Sequence, residues 1–252
     1  MLIMAEDFNS DMVNILIPIA GAGSRFTKAG FTVPKPLIES HGKTMVEWAL
    51  QSFNFLDKIK NYRLIFVVLE EHIKQYQLDE KLKKLFGPQT IVITQYGLMN
   101  GQTKSSLLAK EYINNNNKLF IYNCDTYATA PVWESIEKED PDGLLVCFES
   151  TDPRYSFAKN DQYGYVSEVA EKVAISNLAS TGMYYFKRGS DFVTAAEQLI
   201  ARGEMYNNEF YVMPCYTELL KAGKKIKTVL TESLWVLGTP EELKNFEENY
   251  RE

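Results

Sequence analysis

Residues able to grip a polyphosphate gather near the start of the chain. Gly21-Ala22-Gly23-Ser24-Arg25 follows directly on the β-branched run Val13-Asn14-Ile15-Leu16-Ile17-Pro18-Ile19-Ala20. Glycines at the end of a buried strand let the backbone approach a ligand and turn N–H groups toward phosphate oxygens. By themselves the two glycines fit a tight turn equally well. Two common nucleotide-binding patterns break on single residues: Phe26 stands where a dinucleotide fingerprint needs its third glycine, and Leu37 where a P-loop ending Gly42-Lys43-Thr44 needs its first. Arg25 and Lys35 bracket residues 26–34, a stretch that reads as too polar for core. Pro34 and Pro36 frame Lys35, fixing its backbone and lowering the entropy cost of aiming its side chain. Two cations beside such a cradle suit a triphosphate. At an effective dielectric of ~20, each contact near ~4 Å is worth on the order of 4 kcal/mol before desolvation.

The elements needed to position these groups are legible as alternating strand and helix. Residues 13–20 and Arg63-Leu64-Ile65-Phe66-Val67-Val68-Leu69 read as buried strands, separated by helical spacing over residues 45–55. Two charged helical stretches follow between Glu70 and Phe86, then a strand over residues 89–95, a helix over 102–113, and strands over 118–122 and 143–149 with a short helix near Trp133 between them. This alternation predicts an α/β, doubly wound, Rossmann-like mixed sheet with ligands at the carboxyl ends of its strands. Beyond residue 150 the pattern becomes β-rich: a hairpin around Tyr163-Gly164-Tyr165-Val166, a strand over 182–187, and helices over 191–202 and 210–222. We expect one domain over residues 1–252, with residues 1–12 a flexible start, 13–150 a nucleotide-binding half and 151–252 an acceptor-binding half.

Composition narrows the partners. Lys and Arg number 27 against 33 Asp and Glu, a net charge of −6, and no basic run stands out, which argues against nucleic acid or an acidic membrane. The apolar runs fall short of the ~20 residues of a membrane span, and the acidic start lacks a signal peptide's basic region. Cys124, Cys147 and Cys215 are widely spaced without metal-ligand spacing. Together these predict a reduced, cytoplasmic protein. The tyrosine-rich last third is a possible homodimer surface.

Three further sites carry polar chemistry. Asn123-Cys124-Asp125 ends a buried strand, where a carboxylate either caps the next turn or faces a ligand. Gly101-Gln102-Thr103-Lys104-Ser105 reads as a helix start, and Glu171-Lys172 as a strand edge. Gly21-Ala22-Gly23-Ser24-Arg25 followed by Pro34-Lys35-Pro36-Leu37 resembles the signature of the sugar-phosphate nucleotidylyltransferase superfamily, and Gly42-Lys43-Thr44-Met45-Val46-Glu47 resembles that family's G-K-P-M-I-E segment. The resemblance extends over nearly the whole chain. It implies that Ala20, Gly21, Ala22, Gly23 and Ser24 wrap the nucleotide phosphates, that Arg25 stabilises departing pyrophosphate, and that Lys35 contacts the reacting phosphates. It further implies that Gln102 and Thr103 read the base, that Asp125 holds Mg²⁺, and that Glu171 and Lys172 receive the acceptor, Lys172 at its phosphate. Leu234-Trp235-Val236-Leu237-Gly238-Thr239-Pro240-Glu241-Glu242 is similar to W-x-D-x-G-T-P-E-[DE] but lacks the aspartate that supplies the second metal carboxylate; either another acid, Glu209 or Glu232, takes its place, or the ion relies on Asp125 and substrate oxygens.

The implied reaction is in-line attack of an acceptor phosphate on the α-phosphorus of a nucleoside triphosphate, releasing pyrophosphate. The chain is most similar to short capsule and lipopolysaccharide members of the family, many sharing the pattern seen here as Glu209-Phe210-Tyr211-Val212-Met213-Pro214-Cys215-Tyr216. That likeness implies cytidylyl transfer from CTP, with phosphoglutamine as acceptor, and a hexose or heptose 1-phosphate as the competing acceptor. A nucleotide-sugar glycosyltransferase remains a more distant alternative; its D-x-D motif has a counterpart in Asp140-Pro141-Asp142, which the proline assigns to a turn. His41 and His72 read as incidental.

Overall fold

The computed structural model describes residues 12–251. The expectation for residues 1–12 falls, Met12 apart, outside that range. From the amino end, β1 (Val13–Ile19) leads into α1 (Ser24–Lys28), a small hairpin of β2 (Glu39–Ser40) and β3 (Lys43–Thr44), and α2 (Met45–Gln51). Gly42-Lys43-Thr44 is therefore a hairpin turn and helix cap: Thr44 Oγ1 accepts the Glu47 N–H at 3.4 Å, and Glu47 Oε2 accepts the Thr44 N–H at 2.8 Å.

The alternation continues through β4 (Tyr62–Leu69), α3 (Glu70–Tyr76), α4 (Leu78–Phe86) and β5 (Ile91–Gln95). The helix expected over residues 102–113 is two pieces, α5 (Gln102–Leu107) and α6 (Lys110–Ile113). The break is a tightening of the backbone, with the Leu108 and Ala109 N–H groups reaching the carbonyls three residues back at 3.2 and 3.1 Å. Then come β6 (Lys118–Ile121), β7 (Thr126–Thr129), α7 (Val132–Glu139) and β8 (Gly143–Glu149). The remainder is β9 (Ser156–Asn160), β10 (Val166–Glu171), β11 (Leu178–Phe186), α8 (Gly189–Arg202), α9 (Cys215–Lys221), β12 (Ile226–Leu230), β13 (Ser233–Val236) and α10 (Pro240–Asn249).

Among the described residues, nine strands form one mixed sheet in which β10-β9-β11-β6-β1-β4-β5 run side by side, with β8 pairing both β11 and β12. β1 lies parallel to β4 and β6, whereas β11 is antiparallel to β6, β8 and β9. The sheet is thus the mixed, doubly wound sheet the sequence predicts. Helices cover both faces, and each face has its own core: Val46, Phe53, Phe55, Phe66 and Phe120 lie in one, Leu16, Ile65, Phe186, Phe192 and Tyr216 in the other. Segment 210–222 is helical only from Cys215: Phe210 is tied to another element, accepting from the Thr103 N–H at 3.0 Å and donating to the Asn100 carbonyl at 2.9 Å, and a turn over residues 212–214 leads into the helix.

A third core lies under the carboxyl ends of the strands. Phe26, Met45, Trp48, Leu243 and Phe246 pack there, joining α1, α2 and α10. Residues 26–34 are therefore not a purely polar loop, as the sequence suggested. Phe26 is fully buried, and Phe31 folds back on it edge-to-face at 5.2 Å.

Candidate functional site

A cleft of about 670 Å³ opens at the carboxyl ends of β1 and β6, where ligands bind in such sheets. The glycine loop forms one wall: Ala20, Gly21, Ala22, Gly23, Ser24 and Arg25 all line the cleft. Gly23 adopts φ +61°, a left-handed conformation that opens α1, and its carbonyl accepts from the Phe26 and Thr27 N–H groups at 3.0 and 3.3 Å. Arg25 stands exposed at the rim, its charge acting on both Lys35 and Tyr211.

Lys35 and Asp125 meet in the cleft, 90 positions apart in sequence. The Lys35 ammonium donates to Asp125 Oδ2 at 2.5 Å. Burial works against the lysine's charge, but the Asp125 carboxylate outweighs it and raises the Lys35 pKa, so the group stays cationic. Tyr122 holds the turn that carries Asp125. Its hydroxyl donates to the Thr126 carbonyl at 2.8 Å and lies 3.2 Å from Ser52 Oγ. The Leu237 N–H donates to the Asp125 carbonyl at 2.7 Å, tying that turn to the approach to α10.

A second carboxylate near Asp125 comes from Glu242, a residue that sequence reading passed over. A Cβ placed on Gly238 would stand 3.3 Å from Asp125 Oδ2 and 3.3 Å from Glu242 Oε2, so the bare glycine leaves two converging carboxylates a small shared space. Glu242 lies in the first turn of α10, its N–H capped by Thr239 Oγ1 at 3.2 Å, and its other oxygen pairs with Arg154 at 2.6 Å. Glu232 does not line the cleft, and Glu209 lies on its far side, accepting from the Tyr211 hydroxyl. Val236 lines the wall where the family motif has its aspartate. Two oxygen donors beside a glycine loop suit Mg²⁺, which often binds through one or two carboxylates plus substrate oxygens. No cluster of three or more His, Cys, Asp or Glu side chains able to hold a metal occurs among the described residues.

Gln102 and Thr103 part company. Gln102 lines the cleft and donates through Nε2 to Asn123 Oδ1 at 2.8 Å. Thr103, expected beside it at the base, is fully buried and does not line the cleft. Its N–H donates to the Phe210 carbonyl at 3.0 Å, tying the start of α5 to that residue. Gly101 permits this close approach: at φ +98° its added Cβ would lie 2.4 Å from the Phe210 nitrogen.

Across the cleft, Glu171 ends β10 and Lys172 follows it. Lys172 takes φ +57° and aims its ammonium at the Tyr211 hydroxyl, 2.5 Å away, while Tyr211 donates to Glu209. Glu171 is no solvated strand edge, since it is 2% exposed and accepts from Ser156 Oγ at 2.5 Å. Burial pushes its pKa up to about 7, against the opposing pull of Ser156 and Lys172. The unfolded chain loses that proton at a lower pH, so this group stabilises the fold below about pH 4.5 and ceases to as pH rises toward about 7. Glu171→Gln is therefore expected to match the parent's thermal midpoint near about pH 5 and exceed it by a few degrees near about pH 8. Melting curves at the two pH values check this; a lower midpoint at the higher pH would overturn it.

Other sequence candidates lie elsewhere. Asp140 ends α7 and pairs with Lys187 at 2.5 Å, and Asp142 Oδ2 accepts the Lys225 N–H at 3.0 Å, so Asp140-Pro141-Asp142 is a structural turn outside the cleft. His41 packs edge-to-face on Phe246 at 5.2 Å. The three cysteines are buried and free, burial raising each thiol: Cys124 to about 11, Cys147 and Cys215 to about 12. Among the described residues no helix is long and apolar enough to cross a membrane.

The fold recurs among known proteins. A nucleoside-diphosphate-sugar pyrophosphorylase from Vibrio cholerae RC9 is 30% identical, superposes with a TM-score of 0.81, and the match covers 93% of this chain and 100% of that one. An inositol-1-phosphate CTP transferase from T. maritima shares the fold at 16% identity, with a TM-score of 0.69 over 96% of this chain and 98% of that one. A glucose-1-phosphate thymidylyltransferase of Xanthomonas campestris is 25% identical over 199 residues, 75% of this chain; the match spans 65% of the length of that curated relative. The sequence model of the nucleotidyl transferase family matches residues 15–251, and the chain belongs to that family.

Proposed function

We propose that this chain transfers a nucleoside monophosphate, CMP from CTP, to a phosphorylated small molecule with release of pyrophosphate, and that the product is a surface-polysaccharide precursor. The observation that carries this reading is the meeting of the glycine loop, Lys35, Asp125 and Lys172 around one cleft. The acceptor phosphate oxygen is anionic near neutral pH, so it attacks the α-phosphorus without a general base. A new P–O bond forms in line with the breaking bond to the β-phosphate, and pyrophosphate carries away the electron pair.

The barrier lies in bringing two anions together, and the chain answers it with fixed positive charge. The loop N–H groups cradle the triphosphate, Arg25 faces the departing pyrophosphate, and Lys35 lies at the α-phosphate. Lys172, held by Tyr211, receives the acceptor's phosphate. Asp125 and Glu242 would hold Mg²⁺, which when bound neutralises phosphate charge.

Phosphoglutamine is the acceptor we favour, because the acceptor side carries groups for both charges of an amino acid. Glu209 and Arg154 both line the cleft, a carboxylate for an ammonium and a guanidinium for a carboxylate. A hexose or heptose 1-phosphate is the second reading, favoured by the names of the relatives above. A pyrophosphate-release screen of CTP, UTP, dTTP, GTP and ATP against phosphoglutamine, phosphocholine and sugar 1-phosphates tests both. Turnover is expected with CTP and phosphoglutamine; release of nucleoside diphosphate instead would overturn the reaction class.

A further inference from the structure

Gln102 does not enter the cleft as a free side chain. Its Nε2 donates to Asn123 Oδ1 at 2.8 Å, and Asn123 in turn lies over a glycine in a distorted stretch of β11. The pairing of β11 with β8 shifts register between Ser180 and Tyr184. Hydroxyls within the bulge hold it: the Gly182 N–H donates to Ser180 Oγ at 3.0 Å, the Met183 N–H to Thr181 Oγ1 at 3.3 Å, and Thr181 Oγ1 to the Val146 carbonyl at 3.1 Å. Gly182 itself takes φ +87°, and a Cβ added there would fall 2.1 Å from Asn123 Nδ2. The missing side chain is the space the Asn123 amide occupies.

A primary amide free to rotate by half a turn offers its donor and acceptor in either order. Cytosine presents an amino donor where uracil and thymine present a carbonyl acceptor, so a free amide serves either base. An amide with one N–H already committed offers its remaining N–H and its carbonyl in one order only. We infer that Asn123, seated on the Gly182 bulge, is a positioning residue that fixes the orientation of Gln102 and so sets which pyrimidine edge the cleft accepts. The inference rests on the reading of Gln102 as the residue that meets the base.

Titration calorimetry with CTP, UTP and dTTP, in Mg²⁺ and without acceptor, tests it. The parent is expected to separate its preferred nucleotide from the others by about tenfold or more in Kd. Asn123→Leu, which keeps the branched outline but removes the accepting oxygen, is expected to bring that ratio within about threefold, and Gly182→Ala to do the same by displacing the amide. Asn123→Asp keeps the oxygen and is expected to keep the ratio, even where its charge weakens all three nucleotides alike. Combining Asn123→Leu with Gln102→Ala is expected to narrow the ratio no further than Gln102→Ala alone. If Gln102→Ala leaves the ratio unchanged, the base-reading assignment fails. If Gln102→Ala collapses the ratio while Asn123→Leu and Gly182→Ala preserve it, the positioning role fails and the base-reading assignment stands. A parent that binds all three equally overturns the positioning role as well.

Discussion

Lys35→Met is expected to lower kcat/KM by about a thousandfold, the scale seen when one preorganised group facing transition-state charge is removed. Methionine keeps the unbranched stem, so packing between Pro34 and Pro36 survives and the change is one of charge. The lysine is cationic because Asp125, 2.5 Å away, overcomes the cost of burial. The substitution therefore also leaves the Asp125 carboxylate without its partner. The pair is about a quarter exposed, at 21% and 25%, so water offsets much of that loss and the thermal midpoint should fall by only a few degrees. Pyrophosphate release and a melting curve on one sample separate the effects. Turnover within a few-fold of the parent would sink the assigned role.

Asp125→Asn should be comparably severe, again by about a thousandfold in turnover. The asparagine oxygen still accepts from Lys35, so shape and that contact remain while the negative charge is lost. Glu242→Gln probes the other carboxylate facing Gly238 and is expected to raise the Mg²⁺ concentration for half-maximal rate by about tenfold or more. Mn²⁺ binding followed by electron paramagnetic resonance gives a readout apart from turnover. Both variants should bind the ion more weakly, whereas a Glu232→Gln control should not. Unchanged Mn²⁺ affinity in Asp125→Asn would remove Asp125 from the ion's ligands.

Why the core strands were readable and the site only partly so has a local cause. β1, β4 and β6 lie in the middle of the sheet with both faces covered, so their sequences are nearly continuous apolar runs. The glycine loop and Lys35 were legible because their chemistry lies in residues close along the chain. Glu242 was not: in sequence it is one acid among those opening α10, and only Gly238, four residues earlier, lets it converge on Asp125. Arg154 was missed for a like reason, being one surface arginine until α10 brings Glu242 within 2.6 Å. Thr103 was misplaced because its neighbour is Phe210, more than a hundred positions away. The pair β7–β13 joins Thr126–Thr129 to Ser233–Val236 and left no periodic signal in strands of four residues.

By itself the sequence determined the class of sheet, the glycine loop and the cations beside it, because apolar periodicity, glycine placement and proline-framed charge are properties of short segments. Tertiary structure alone decided how those segments act on one another. It set Lys35 on Asp125, brought Glu242 over Gly238, seated Asn123 on the Gly182 bulge and buried Glu171 until its carboxyl titrates near neutrality. Each of these is a contact or a desolvation between residues distant along the chain or on separate elements. Its energy depends on distance and burial, quantities that do not exist until the chain has folded.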